Sequence, residues 1–441
     1  MADATPAAGP TRDLYDLLTG DDEARVCKDI PDAACKEQPK SFFIHGLALA
    51  LTKLGDGLAD PKLVLSWLLS SLGAPGYLIG LLVPVRESLS LLPQLLIAAR
   101  IRAFAIRKWL WVAGSAIEGV ALVLMALSAL LLDGTAAGWA IILCLAVFSL
   151  ARGIASIAQK DVLGKTIART RRGTVSGYAG TIASLGTGAF GVYLLVFGQA
   201  DSPGFFALLL TAAGALFLTA ASVFSRLDEQ PGATEGGGNA VDFVKGELGR
   251  LRDDAAFAHF VAARALFVSA ALLPPYLVML LQRSEGAGLF DLGQLILASG
   301  IAGGLSSFVW GRLADRSSRQ VMMATGGLAG ATALVAGLLA LLAPAALGLP
   351  LLIPGAIFLV ALSHAGMRIG RKTYIVDLAG TDQRAGYVAL SNTLIGVVLL
   401  LSGLVGVFAE FAGVGLTLLL LAAAAGLGVW LAYGLPEVQE V

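Results

Sequence analysis

Apolar stretches of about 20 residues recur along the whole chain, and this repetition constrains the fold more than any other feature. A helix of that length is needed to cross the roughly 30 Å hydrocarbon core of a bilayer. The chain lacks the apolar/polar alternation of a membrane barrel, so each span must pair its backbone as a helix. We predict an all-α membrane protein with twelve transmembrane helices, at residues 41–66, 76–99, 109–132, 138–158, 174–198, 204–225, 256–282, 289–310, 321–343, 350–374, 385–409 and 414–434.

The composition excludes several classes of protein. Hydrophobic residues make up 57% of the chain, charged residues 14%, and the formal net charge is zero. No global basic field exists to attract nucleic acid, so we expect no nucleic-acid partner. The three cysteines are scattered and no His/Cys cluster is present, so we expect neither a metal nor a cofactor. Because no P-loop or Ser/His/Asp elbow occurs either, we do not expect an enzyme.

Lysine and arginine are distributed unequally over the predicted loops. With the amino terminus in the cytoplasm, 24 of them lie in cytoplasmic segments, whereas the opposite side keeps only Lys62 and Arg283. By the positive-inside rule both termini are cytoplasmic. We expect a multi-pass monomer in the bacterial inner (cytoplasmic) membrane, where Cys27 and Cys35 of the amino-terminal tail should be reduced.

The longest interior break divides the predicted spans six and six. It begins with a glycine-rich run and continues with an amphipathic stretch that places Val241, Val244, Leu248 and Leu251 on one helical face. A helix resting at the membrane interface is the alternative explanation. We predict a cytoplasmic tail at 1–40, a six-helix bundle at 41–225, a cytoplasmic linker with an amphipathic helix at 226–255, a second bundle at 256–434 and a short cytoplasmic tail at 435–441.

The two halves of the chain resemble each other. A shift of 212 residues places Arg100, Arg107 and Arg172 on Arg312, Arg319 and Arg384. Three matches at one offset, all in corresponding loops, indicate parallel repeats of six helices.

The loop after the eighth span has the sequence GRLADRSSR at residues 311–319. A glycine at Gly311 permits close helix approach, and Asp315 beside a helix end can accept charge-assisted hydrogen bonds. We interpret Gly311, Asp315, Arg316 and Arg319 as a gating motif. The loop resembles the signature of the major facilitator superfamily, which joins the second and third helices of each half.

The resemblance implies two pseudo-symmetric six-helix bundles that rock around a cavity lined by the first, fourth, seventh and tenth helices. The first half departs from the family pattern, because Ala99 and Ala103 stand where Gly and Asp are expected. Drug-exporting members of the superfamily usually carry a Gly-Pro-rich fifth helix. The fifth span here has glycines without proline, so drug export loses support.

Ionisable residues inside the spans are the functional candidates, because each costs at least about 2.5 kcal/mol at the bilayer centre. The arrangement of cations in both halves resembles that of family members in which cations from the two halves bind one anion. The planar arginine guanidinium can form two parallel hydrogen bonds with a carboxylate or phosphate. The predicted substrate-binding residues are Lys53, Arg86, Arg152, Arg264, His364 and Arg368. Carboxylates beside cations can change protonation when an anion arrives, so the predicted proton-coupling residues are Asp56, Asp60, Glu87 and Glu118.

Our leading hypothesis is a secondary active transporter that moves a small carboxylated or phosphorylated anion together with protons. Structural pairing competes with it, since Lys53 could neutralise Asp56, and Arg86 could neutralise Glu87 or Glu118. Two other functions stay open. The acids could attract amphipathic or cationic compounds for export, or the fold could bind a partner protein without moving a solute.

Overall fold

A computed structural model of the protein describes residues 10–19, 30–198, 202–232, 234, 248–283, 287–379 and 384–439. All regular structure in these residues is helical. Two short helices of the tail, Pro10–Thr19 and Asp32–Lys36, come first. They are followed by Gln38–Leu58, Val64–Ser71, Gly76–Arg102, Lys108–Leu131, Gly134–Thr166, Arg169–Phe197, Pro203–Ser225, Arg250–Asp253, Ala255–Leu266, Val268–Gln282, Leu289–Arg316, Ser318–Leu342, the 3-10 turn Pro344–Gly348, Leu352–Leu378, Arg384–Leu401, Leu404–Ala412 and Val414–Tyr433.

The long helices coincide with the predicted spans. Ten segments of the described chain are long and apolar enough to cross a membrane, and they correspond to the third through twelfth spans. The first and second spans contain helices of 21 and 27 residues that carry several ionisable side chains. The prediction of an all-α membrane protein is therefore confirmed. The helix of the fourth span, Gly134–Thr166, continues well past its predicted end at residue 158.

Three spans are interrupted, which the sequence pattern did not predict. The first breaks between Leu58 and Val64, the seventh at Phe267, and the eleventh at residues 402–403. In the first break Pro61 has no N–H to continue the helical ladder. Asp60 Oδ1 accepts hydrogen bonds from the backbone N–H groups of Lys62 at 2.6 Å and Leu63 at 3.1 Å. These bonds satisfy two backbone N–H groups of the break, immediately before the half-helix Val64–Ser71.

The same helix packing occurs in both halves. The third span packs on the fourth and sixth, the second on the fourth, and the first on the fifth and sixth. In the other half the ninth packs on the tenth and twelfth, the eighth on the tenth, and the seventh on the eleventh and twelfth. Each pair recurs six spans later, as parallel repeats require.

Among the described residues the halves meet where the second span contacts the eleventh and the seventh, the fifth contacts the eighth, and the first contacts the seventh. We call the side that holds Gln38 and Leu435 the terminal side and the opposite side the far side. Close contacts lie toward the far side, where a Cβ added to Gly80 would be only 2.5 Å from Gly406 Cα. Gln282 Nε2 also donates to the Trp67 carbonyl at 3.2 Å. The halves are thus joined at the far side.

The tail helix Pro10–Thr19 packs on the first and fifth spans. The Tyr15 ring contacts Phe42 edge to face at 5.2 Å between centroids, and the Tyr15 hydroxyl accepts a hydrogen bond from Gln38 Nε2 at 2.7 Å. Tyr178 of the fifth span donates to the Leu18 carbonyl at 3.0 Å. The tail is therefore part of the folded structure up to Thr19.

Cys35 is disulfide-bonded, so the expectation of a reduced thiol is wrong for this residue. That expectation came only from the predicted compartment. Cys27 lies outside the described residues. Val241 and Val244 of the predicted amphipathic helix also lie outside them, and Leu251 belongs to the single turn Arg250–Asp253. The domain boundaries stay predictions.

Candidate functional site

A cavity of about 220 Å³ lies beside the break in the first span. Its polar wall comes from the first two spans and consists of Asp56, Asp60, Lys62, Arg86 and Glu87. Its apolar wall consists of Leu65, Val83, Leu122, Met125, Leu145 and Phe148. The cavity therefore combines a row of charged groups with a hydrophobic surface, a composition that suits a small amphipathic solute.

Four of the predicted residues form one cluster in the amino-terminal half. Arg86 Nη2 lies 3.2 Å from Asp56 Oδ1, and Arg152 pairs with the other oxygen of Asp56. Arg152 Nη1 also lies 3.5 Å from Glu118 Oε1, whose side chain is completely buried. The rings of Phe148 and Phe217 face the two guanidinium groups. Asp56 is thus held by two arginines, and Glu118 shares one of them.

Lys53 takes no part in the ion pairs of this cluster. Its Nζ donates to the Ser176 carbonyl of the fifth span at 3.2 Å. The proposed pairing of Lys53 with Asp56 is therefore absent from the ion pairs of the described residues. Arg86 pairs with Asp56 instead of Glu87 or Glu118. His45 lies away from the cavity, fully buried, with Nε2 2.8 Å from Thr166 Oγ1.

Lys62 lies in the break of the first span and contacts residues of both halves. The break at Asp60 and Pro61 turns its side chain into the protein, where Nζ lies 3.6 Å from Glu87 Oε1. The same Nζ donates to Nε2 of His364, in the tenth span, at 3.3 Å. The predicted first span ends at residue 66, whereas the half-helix after the break continues to Ser71.

Arg264 lies in the carboxy-terminal half with only 8% of its surface exposed. Its guanidinium donates to Ser391 Oγ at 2.6 Å and to Asn392 Oδ1 at 2.9 Å, both in the eleventh span. Within the described chain no ion pair links it to a carboxylate, and the charged group that acts on it is another cation, Arg371. Arg368 of the tenth span is exposed. This half therefore carries an excess of positive charge.

Sequence reasoning missed Lys62, Arg371, Ser391 and Asn392. Arg371 lies within the predicted tenth span and in the helix Leu352–Leu378, but it was not among the predicted site residues. It lies seven residues after His364, which is two helical turns along the same face. This seven-residue spacing from His364 could have identified Arg371 from the sequence. Ser391 and Asn392 carried no charge to single them out.

The gating motif is arranged differently from our expectation for Gly311. No described residue lies within 4 Å of a Cβ added at Gly311, so in the described part of the chain this glycine mediates no close helix contact. Asp315 and Arg316 are exposed. Arg319 Nη1 donates to the Leu435 carbonyl at 2.9 Å, and its Nε lies 3.4 Å from Glu437 Oε2. Glycine permits close approach only where another backbone faces it, and here none does.

The first half has an equivalent terminal-side network. Glu229 follows the sixth span, as Glu437 follows the twelfth, and its carboxylate accepts the backbone N–H of Arg107 at 2.9 Å and of Lys108 at 2.6 Å. Arg107 pairs with Asp161. Beside it Lys40 Nζ donates to Asp228 at 2.5 Å, which lowers the pKa of that exposed carboxyl.

The comparisons with known proteins agree with this architecture. No curated protein matches the chain. Among solved structures, the nucleoside transporter NupG is similar with a TM-score of 0.66 and 12% identity, over 89% of this chain and 98% of that chain. A POT family transporter in complex with a thioalcohol-conjugated peptide is similar with a TM-score of 0.65 and 12% identity, over 91% of this chain and 97% of that chain. The xylose transporter XylE from E. coli, in an inward open conformation, is similar with a TM-score of 0.65 and 12% identity, over 90% of this chain and 97% of that chain.

At these identities the structural likeness shows the fold alone. The family is shown by a sequence profile, because the profile described as Major Facilitator Superfamily matches residues 46–403, which is most of the 441-residue chain. Twelve spans in two repeated halves and the loop at Gly311–Arg319 fit that match. The chain belongs to the Major Facilitator Superfamily and is a multi-pass membrane transporter.

Proposed function

We propose that this transporter carries a small organic anion together with protons, by alternating access between the terminal side and the far side. One observation carries the proposal. The guanidinium of the buried Arg264 is held by two neutral side chains and forms no ion pair with a carboxylate of the described residues. A buried cation without a counter-charge is costly, and an anionic ligand between the halves would relieve that cost.

Export of cations is less compatible with the same geometry. A cationic solute would need free carboxylates, but Asp56 is held by Arg86 and Arg152. Asp60 accepts two backbone hydrogen bonds, and Glu87 faces Lys62. Each of these carboxylates already has a partner. In the carboxy-terminal half, by contrast, the buried Arg264 has no ion pair with a described carboxylate. This balance favours anions.

The cluster around Arg152 supports proton coupling. Glu118 has no exposed surface, and the charged groups that act on it are Arg152 and Arg86 and the carboxylate of Asp56. Two carboxylates compete for Arg152, so any movement of this arginine toward a ligand would leave Glu118 without a counter-ion. A buried carboxylate in that position takes up a proton. Asp56 and Glu118 are therefore the best-placed coupling residues.

The gate and the membrane orientation belong to the same proposal. Positive charge on the terminal side predicts that this side faces the cytoplasm. The contacts between halves at the far side favour a state open toward the terminal side. In such a state a terminal-side gate is disengaged, which agrees with the exposure of Asp315 and Arg316.

Transport can be tested in proteoliposomes with an imposed pH gradient. The probes are benzenesulfonate and glycerol 3-phosphate as anions and tetraphenylphosphonium as a cation, with protein-free liposomes as background. We expect saturable uptake of an anion, increased when the anion enters from the acidic side. Glu118→Gln should retain exchange of the anion but lose the response to the gradient. Uptake of the cation alone, or an unchanged response in Glu118→Gln, would contradict the proposal.

A further inference from the structure

Lys62 stands between two partners that belong to opposite halves. Its ammonium is 3.6 Å from the Glu87 carboxylate of its own half and 3.3 Å from His364 Nε2 of the other half. Arg371 and Arg368 of the other half also act electrostatically on Glu87. The Glu87 carboxylate is therefore subject to cations of both halves.

The surroundings of Lys62 indicate what kind of anion could take that place. Opposite the charged wall, the cavity presents Leu122, Met125, Leu145 and Phe148. Its volume of about 220 Å³ lies below the 300 to 1,000 Å³ usual for drug-sized ligands, so the solute is small. Asp56 and Asp60 line the remainder of the polar wall, and a second negative charge on the solute would be repelled there.

We propose that the cavity binds a small monocarboxylate with an apolar body, whose carboxylate replaces Glu87 beside Lys62 while its body packs on the apolar wall. This inference rests on the proposed function and narrows its anion to one class. Lys62 then becomes a substrate-binding residue, and Glu87 acts as an internal competitor of the substrate. Displaced Glu87 stays within the electrostatic influence of Arg86, Arg368 and Arg371, which offsets its negative charge.

The two residues should respond to substitution in opposite directions. Lys62→Gln removes the cation that the carboxylate contacts, and the affinity for a monocarboxylate should fall about tenfold or more. Glu87→Gln removes the competing carboxylate while keeping the shape of the side chain, and the affinity should rise by severalfold. A merely structural role of the pair would lower binding in both variants, because each would disturb the same contact.

The experiment is a binding titration on the purified full chain with three probes of defined chemistry. Benzoate has one carboxylate and an apolar body, benzamide is its neutral isostere, and glycerol 3-phosphate is a dianion without an apolar body. Arg252→Gln serves as the control, because it removes one exposed positive charge far from the cavity. We expect benzoate to bind the wild type and the control equally, and benzamide to bind at least tenfold more weakly.

The outcomes separate this inference from the proposed function. Weaker benzoate binding in Lys62→Gln together with stronger binding in Glu87→Gln supports the inference. Binding of glycerol 3-phosphate without benzoate overturns it but leaves an anion transporter. Tight benzamide binding, or a loss of affinity in Glu87→Gln, also overturns it. If Lys62→Gln fails to fold, the sign of the change in Glu87→Gln still decides. Binding of tetraphenylphosphonium alone would contradict both proposals.

Discussion

Arg152→Gln tests the ion cluster of the amino-terminal half most sharply. The substitution removes the cation that Glu118 and Asp56 share. Glu118 is completely buried and loses the one described cation within 4 Å, so it must either stay charged without a partner or bind a proton, and we estimate the cost at about 3 kcal/mol. Asp56 keeps Arg86 at 3.2 Å and is 25% exposed, so its share is at most about 1 kcal/mol. We expect a total loss of about 3 to 4 kcal/mol in the free energy of unfolding.

The assay is a double-mutant cycle with Glu118→Gln, measured as unfolding in detergent. If the pair is coupled as the distances indicate, the double variant should recover about 1 to 3 kcal/mol relative to Arg152→Gln alone, because no buried charge is then stranded. Arg252→Gln, at an exposed position, should change stability by less than about 0.5 kcal/mol. Equal losses in the single and double variants would refute the reasoning, since they would show that Arg152 and Glu118 do not interact.

Three further predictions follow from other parts of the structure. Arg264→Gln should leave the melting temperature unchanged or higher while weakening binding of the transported anion about tenfold or more, and a large fall in the melting temperature would instead indicate a structural role. Gly80→Leu should separate the second and eleventh spans and increase labelling of a cysteine at Ser70 by a membrane-impermeant reagent, whereas Gly188→Leu, where a Cβ meets nothing, should not. Asp315→Asn should slow uptake while ligand affinity changes by no more than a fewfold, and unchanged uptake would exclude its role as a gate.

The positions of the spans could be predicted because hydropathy reports the length of chain that lipid requires. The break in the first span could not. Proline alone does not locate a break, because Pro84 and Pro93 lie inside the continuous helix Gly76–Arg102 and Pro274 inside Val268–Gln282. At Pro61 the difference is the neighbouring Asp60, whose carboxylate satisfies the freed amides. That contact depends on the folded geometry and has no signature in hydropathy.

The candidate site shows the same limit. The 212-residue repeat predicts that Arg152 and His364 occupy corresponding positions in the two halves. It did not show that Arg152 is neutralised within its own half, whereas His364 contacts Lys62 across the halves. A sequence offset gives the height of a residue in the membrane. Its partner depends on how the helices rotate and which neighbours they meet, and this information comes only from the packed structure.

The central claim is that this transporter selects anions and moves them across the membrane. Its most direct test is counterflow of radiolabelled benzenesulfonate, benzoate and tetraphenylphosphonium in proteoliposomes, with wild type, Arg264→Gln and protein-free vesicles side by side. The account predicts that vesicles with the wild-type protein take up at least one anion above background and that Arg264→Gln reduces this uptake about tenfold or more at low concentration. Uptake of the cation alone, or equal anion uptake by wild type and Arg264→Gln, would contradict it.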